Sequence, residues 1–247
     1  MVSLKTAAAL VIGNEILSGK IGEENLVVLA RVLRPLGIRL QRVVMVEDVI
    51  ETIAHEVRSL SATYDLVVTS GGVGPTHDDV TVEAVGLAFD AQVMSHPHLE
   101  AMIRGHYGSR CTEGHLRMAL VPTGASLETT ESVSWPTIRM RNVWLLPGVP
   151  EIFRLKLGVL RENLGLAGPA FVTHAVYTQM DEGHLRPLLD AIVAQFPDVE
   201  VGSYPKWHHD SYKTKLTFDG QQPAQVSAAR DAFVALLPEG EPQDYSE

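Results

Sequence analysis

The 247-residue chain is 45% hydrophobic and 20% charged, with a formal net charge of −10, the composition of an ordinary globular protein. That balance argues against nucleic-acid binding by charge and against an anionic membrane surface. One cysteine, Cys111, excludes an internal disulfide framework and a thiolate zinc cluster. In a polar stretch with no supporting motif, Cys111 reads as a bystander. No stretch reaches the ~20 apolar residues of a membrane span, and no targeting segment is legible, so the expected location is cytoplasmic.

Lys5 to Ile12 is a continuous apolar run that predicts a buried parallel strand. Gly13-Asn14-Glu15-Ile16-Leu17-Ser18-Gly19-Lys20 reads as a polar turn after it. Leu26, Val27, Leu29, Ala30, Leu33 and Leu36 recur at helical spacing, with Glu23 and Glu24 in the first turn and Gly37 as the stop. Ile38 to Val46 predicts a strand. Asp48 predicts an N-cap for a helix through Leu60, with Glu51 completing a capping-box pattern. Tyr64 to Ser70 is the third strand. This strand–helix alternation predicts a parallel sheet with right-handed crossovers and helices on both faces. Ligands in such sheets bind at the C-terminal strand ends, where the turn at 13–20 falls.

The loop after the third strand, Ser70-Gly71-Gly72-Val73-Gly74-Pro75-Thr76-His77-Asp78-Asp79-Val80-Thr81, falls there too and precedes a helix through Ala88. Strand, glycine turn and helix start expose backbone N–H groups where an anion is favoured. Two adjacent carboxylates would repel a bare phosphate, so a divalent cation bridging carboxylate and phosphate is the natural complement. A plain tight turn with Thr76 or Asp79 as N-cap is the competing reading. The loop is not a dinucleotide fingerprint, because His77 stands where the last glycine belongs. It is not a P-loop either: Gly13 to Gly19-Lys20 is one residue too long, and Ile21 replaces the Ser or Thr.

Further on, composition and spacing predict helices over 97–107 and 112–120, then strands over 137–141 and 143–146 with a turn or bulge at Asn142. Pro147-Gly148-Val149-Pro150-Glu151 breaks the chain before a helix to Leu164. Charge–dipole stabilisation would explain Glu151 there. Leu164 to Pro169 reads as a linker, dividing the chain into domains of 1–168 and 169–240. The second has the order strand (171–178), helix (182–195), strand (200–203), strand (212–218), helix (224–237), with a polar, disordered tail at 241–247.

Most of the ten histidines suggest no site. His208-His209-Asp210 reads as a solvated loop, and His96 and His98 as surface. His77, inside the glycine loop, is a candidate for a supporting polar contact or weak general-base duty. No Gly-x-Ser-x-Gly elbow supports a serine hydrolase. Lys20, Arg31 and Arg117 are cations that could meet phosphate.

Together, Ile12-Gly13-Asn14-Glu15-Ile16-Leu17-Ser18-Gly19-Lys20-Ile21 with Asn25, and Gly71 to Thr81, resemble the molybdopterin-binding-like domain of the competence/damage-inducible protein A (CinA) family. Met118-Ala119, Val121-Pro122 and Leu145-Leu146-Pro147-Gly148-Val149-Pro150-Glu151 extend the resemblance. Asp181-Glu182, Gly202-Ser203-Tyr204-Pro205 and the 212–218 strand resemble the small domain that follows in that family and in the N-terminal half of eukaryotic FAD synthase. The resemblance implies an α/β, MoaB/Mog-like three-layer domain with a mostly parallel sheet, then a small α+β domain. It also implies divalent-metal-dependent pyrophosphatase activity on ADP-ribose, FAD or related nucleotides.

By matching position, Gly13, Asn14, Ser18, Lys20, Asn25, Gly71, Gly72, Gly74, Pro75, Thr76, Thr81 and Gly148 would hold phosphate or nucleotide. Asp78, Asp79 and Glu151 would be catalytic. Asp79, Asp78 and Glu15 would ligate Co²⁺ or Mg²⁺. Many relatives have Asp where this chain has Asn14, a poorer metal ligand. The amidohydrolase domain often fused in the family is not found in these residues, so deamidation is not carried over. The alternatives are a molybdopterin-binding or adenylylating protein and a non-catalytic nucleotide-binding module. Expected partners are a small nucleotide or pterin and further copies of the chain, as a dimer or trimer, with no nucleic acid and no membrane.

Overall fold

The computed structural model describes residues 5–207, 211–242 and 244–246, so the proposed loop at His208-His209-Asp210 lies outside it. The chain separates into two compact units, Met1–Gly168 and Pro169–Glu247. The first runs β1 (Thr6–Ile12), α1 (Asn14–Leu17), α2 (Asn25–Leu33), β2 (Arg39–Val46), α3 (Ile50–Thr63), β3 (Leu66–Ser70) and α4 (Thr81–Ala88). It continues through β4 (Val93–Ser95), α5 (Pro97–Tyr107), α6 (Glu113–Arg117), β5 (Leu120–Pro122), β6 (Ser126–Glu128), β7 (Thr137–Met140), β8 (Val143–Leu146) and α7 (Pro150–Leu164).

Six strands form one sheet in the order β2-β1-β3-β8-β7-β6. The first four are parallel, while β7 and β6 run antiparallel. Side-chain alternation along β1 explains the three layers. Ala8, Leu10 and Ile12 pack with Ile53 and Val57 of α3 and Val85 of α4. Ala7 and Ala9 face the other way, onto Leu29 and Leu33 of α2 and Leu157 and Leu160 of α7. Each such aliphatic side chain contributes roughly 1.5–3 kcal/mol by leaving water. The fold is the mostly parallel α/β sandwich that the sequence predicts.

Several local expectations are corrected. The polar turn at 13–20 begins as the short helix α1, whose four residues are too few to show a period. Asp48 does not cap α3, which has no side-chain N-cap; its Oδ2 accepts the backbone N–H of Asn14 at 2.8 Å instead. The segment read as helix over 112–120 is helical only to Arg117, and Leu120–Pro122 then pairs antiparallel with Val93–Ser95. The turn expected at Asn142 is present: Arg141 takes φ 55°, and the Asn142 amide donates to the carbonyls of Ser61 and Tyr64.

The second unit runs β9 (Val172–Thr178), α8 (Glu182–Gln195), β10 (Glu200–Pro205), β11 (Thr214–Gly220), α9 (Pro223–Ala235) and β12 (Asp244–Ser246). Its antiparallel sheet has the order β10-β11-β9-β12. Val176, Leu216 and Phe218 pack on Leu185, Ile192, Val226 and Phe233 of the two helices. Asp181 caps α8, its Oδ1 accepting from the N–H groups of Gly183 and His184. The tail expected to be disordered contributes a strand, because Asp244–Ser246 pair with Ala175–Tyr177 at the free edge of β9.

Candidate functional site

The glycine loop leaves the C-terminal end of β3 between β1 and β8. Gly71 takes φ 110°, and a Cβ there would stand 2.1 Å from the Ile12 carbonyl oxygen. Gly72 takes φ 65°, with its missing Cβ 2.2 Å from the Thr81 hydroxyl. Both positions therefore require glycine, by conformation and by space. Thr81, fully buried, closes the turn. Its N–H donates to the Gly72 carbonyl at 3.0 Å, and its hydroxyl donates to the Gly71 carbonyl at 2.9 Å. The residue expected to touch nucleotide is thus a brace.

The second half of the loop is tied by Asp79. Its Oδ2 accepts the Thr76 N–H at 2.8 Å and the Thr76 hydroxyl at 2.5 Å. This cross-link takes the place of the helix N-cap, which α4 lacks as a side-chain bond. The Asp79 carboxylate lies over Gly74, where a Cβ would be 2.6 Å from Oδ2. The Thr76 hydroxyl also holds the Asp78 carboxyl below its ordinary value, helped by the Asp78 N–H and by His77. One hydroxyl proton serves one carboxylate at a time, so Asp78 and Asp79 compete for it. His77 itself projects into solvent, 98% exposed. Arg117, from the end of α6, donates through Nη2 to the Asp79 carbonyl at 3.3 Å and to Glu83 Oε1 at 2.9 Å. It buttresses the loop backbone.

A cleft of about 400 Å³ opens on one side of this loop, lined by Gly71, Gly72, Gly74, Pro75, Asp79 and Gly148, with Glu15 and Asn25 opposite. Asn25 is 4% exposed. Its Nδ2 donates to Ser70 Oγ at 3.0 Å and to the Gly148 carbonyl at 2.8 Å, which fixes the amide orientation. Its Oδ1 is buried without a partner. Glu15 reaches the cleft because Gly13 has no side chain; a Cβ there would stand 2.5 Å from Glu15 Oε1.

The other expected residues lie elsewhere. Asn14, Ser18, Lys20, Thr76 and Asp78 are exposed and outside the cleft lining; Ser18 Oγ donates to the Glu15 carbonyl at 3.3 Å. Glu151 is exposed in the first turn of α7 and also outside it, so charge–dipole stabilisation accounts for its position. Among the described residues no three His, Cys, Asp or Glu side chains cluster as a ready metal cage. Four carboxylates line the cleft, Glu15, Glu23, Glu24 and Asp79; Glu23 accepts the Leu26 N–H and Glu24 pairs with Arg154, which leaves Asp79 and Glu15 as oxygen donors that fit a hard cation held jointly with a ligand phosphate.

A second cavity, also about 400 Å³, lies across the loop and shares Gly72, Gly74, Asp79 and Pro147 with the first. Tyr107, Arg117, Trp135 and Lys156 line it. Lys156 is 5% exposed, with Nζ donating to the carbonyls of Trp135 at 2.5 Å and Pro136 at 2.8 Å. Burial lowers its pKa to about 8. Nothing in the sequence marks this cavity, because its walls come from segments up to 84 positions apart (Gly72 to Lys156).

The probable molybdopterin binding domain family matches residues 8–162, and the FAD synthase middle domain matches residues 170–246. A probable FAD synthase of Caenorhabditis elegans is 32% identical over 264 residues, covering 94% of this chain and 50% of that protein. The chain therefore spans about half the length of the FAD synthases it matches. A protein of Archaeoglobus fulgidus is 30% identical over 226 residues, covering 92% of this chain and 95% of the relative. Among solved structures, CinA of Thermoplasma acidophilum, described as of unknown function, superposes with a TM-score of 0.60 at 29% identity, over 66% of this chain and 99% of that one. No helix among the described residues is long and apolar enough to cross a membrane. With most of the larger unit matched, the chain belongs to the probable molybdopterin binding domain family, carries a segment like the FAD synthase middle domain after it, and is CinA-like.

Proposed function

We propose that the protein is a divalent-metal-dependent pyrophosphatase that hydrolyses the P–O–P bond of ADP-ribose, FAD or a related nucleotide. The observation that carries this reading is the meeting of two carboxylates, Asp79 and Glu15, with the glycine-loop backbone in one cleft. The loop amides and the N-terminus of α4 favour the phosphate oxygens and the charge that develops on them. Glycine at 71, 72 and 74 lets the loop close on Ile12, Thr81 and the Asp79 carboxylate, which sets the backbone that the ligand meets. The Thr76 cross-link fixes Oδ2 of Asp79, leaving Oδ1 to accept the proton of the attacking water. That water adds to phosphorus in line with the bridging oxygen, which departs on the second phosphate. A divalent cation, Mg²⁺ or Co²⁺, held by Asp79 and Glu15 with the phosphate, would neutralise charge and lower the water's pKa.

A second reading, a pterin-binding or adenylylating protein of molybdenum cofactor synthesis, draws on the description of the matched family. Purified protein incubated with ADP-ribose or FAD separates the two. Release of AMP with Mg²⁺ or Co²⁺, absent in EDTA and reduced about 10²–10⁴-fold in Asp79→Asn, is the expected result. Undiminished turnover in Asp79→Asn would remove the site assignment. No AMP with any metal, together with tight pterin binding, would establish the second reading instead.

A further inference from the structure

We propose that the second cavity, across the glycine loop from Asn25, binds the planar ring of a heterocycle whose attached phosphate lies on the loop. The inference rests on the loop as the phosphate site, and it assigns a location and a chemistry to the other end of the ligand. The cavity's size, about 400 Å³, falls within the ~300–1,000 Å³ of small-molecule sites. It is continuous with the loop through Gly72, Gly74 and Asp79, so one ligand can occupy both.

Two aromatic walls are set in place without a ligand. Tyr107 stacks on His115 at 3.8 Å and 22° between planes. His115 is itself fixed by Nδ1, which accepts the Thr112 N–H at 3.1 Å in the capping box of α6. Lys156 holds the backbone of Trp135 and Pro136 through its two hydrogen bonds, and the Trp135 side chain packs against the core. Rings fixed in this way bind a third ring with little further loss of conformational freedom.

Most of the remaining lining is apolar, and it continues onto Ile152 and Leu155 of α7, which are left 44% and 51% exposed. Its polar groups are the Asp79 carboxylate on the loop, the Glu83 carboxylate, which accepts from Arg117 Nη2, the His106 ring, and two donors with capacity to spare. Arg117 Nε is buried without a partner, and the Lys156 ammonium has a third N–H beyond the two it has given to carbonyls. A ring with acceptors at its edge, such as the carbonyls of a flavin or pterin or the ring nitrogens of a purine, satisfies these donors. An aliphatic chain does not.

The test measures binding in Mg²⁺ with ligands that have no P–O–P bond, so that turnover plays no part. Flavin fluorescence reports FMN and riboflavin, and calorimetry reports AMP and ribose 5-phosphate. FMN or AMP binding at least tenfold tighter than ribose 5-phosphate is expected, with flavin fluorescence quenched by stacking. Trp135→Ala should weaken FMN at least tenfold and leave ribose 5-phosphate within twofold. Leu155→Glu, a change at an exposed position that does not threaten folding, should weaken FMN about fivefold. Equal affinity for ring-bearing and ring-free phosphates overturns the proposal. So does a Leu155→Glu protein that changes its subunit association while keeping its FMN affinity, which would make this face a contact between copies. Riboflavin has no phosphate: its binding, lost in Trp135→Ala, supports the cavity even where Asp79→Asn hydrolyses ADP-ribose as well as wild type and the phosphate reading fails.

Discussion

Two loops leave neighbouring parallel strands at the same end of the sheet, and both are rich in glycine, polar residues and carboxylates. After β1, the chain turns into α1 and directs Asn14, Ser18 and Lys20 to solvent, while Glu15 and Ile16 line the cleft. After β3, the chain stays close to the sheet. Thr81 ties Gly71 and Gly72, Thr76 ties Asp79, and Arg117 holds the Asp79 carbonyl. Position at a strand end therefore makes a loop available for ligand, but cross-links from the loop to its own helix decide which side chains face the cleft. The first loop contributes two side chains, one of them charged, and the second contributes a surface.

The sharpest break of this contrast is a glycine substitution in each loop. Gly71→Ala places a Cβ against the Ile12 carbonyl oxygen at φ 110°, so strain and overpacking add, and a loss of about 3–5 kcal/mol is expected. Gly19→Ala, at φ 71° with no heavy atom within 4 Å of the new Cβ, should lose about 1 kcal/mol from the left-handed conformation alone. Urea unfolding of the two variants measures both. Equal losses would mean that the second loop is no more tightly built than the first.

That contrast also marks what sequence could convey. Strand β3 and its glycine turn are legible because a β-branched run and three glycines in four residues are local signals. The layering is legible because apolar runs alternate with helical spacing. The braces are not legible, since Thr81, Asp79 and Asp48 have the residue types of caps or ligands and their use depends on what lies within 3 Å of them. Asp48 has the sequence pattern of a cap for α3 and bonds Asn14 instead. The short β4–β5 pair carries no period. The second cavity is silent because Tyr107, Arg117, Trp135 and Lys156 meet only after the chain has folded.

An intermediate effect is expected beside the second loop, at Lys156. Its pKa is lowered from 10.5 to about 8 by burial, so the folded state releases this proton more readily than the unfolded chain. The penalty of holding the charged amine inside is complete below pH 8 and fades as pH rises toward 10.5. Between pH 7.5 and 9.5 the unfolding free energy should therefore rise, by roughly 2 kcal/mol from this group. Lys156→Met removes that increment, although it leaves the Trp135 and Pro136 carbonyls without their donor. The difference between the two proteins' pH profiles is the quantity to measure. A wild-type profile parallel to that of Lys156→Met would show that the amine titrates as it does in water.

The smallest effect is expected in the first loop, at the position where the family resemblance leads one to expect an Asp. Asn14 is exposed, lies outside the cleft lining and is held by its backbone N–H to Asp48. A carboxylate introduced there gains from the N-terminus of α1 and loses to the nearby charge of Asp48, and the two nearly cancel. Asn14→Asp should change stability by less than about 0.5 kcal/mol. It should move the metal concentration for half-maximal ADP-ribose hydrolysis by less than about threefold, whereas Glu15→Gln, inside the cleft, should move it about tenfold or more. A tenfold gain in metal affinity from Asn14→Asp would place residue 14 among the ligands and erase the difference between the two loops. An unchanged value would leave the charge of the site on Glu15 and Asp79, and the neutral side chain at residue 14 without chemical consequence.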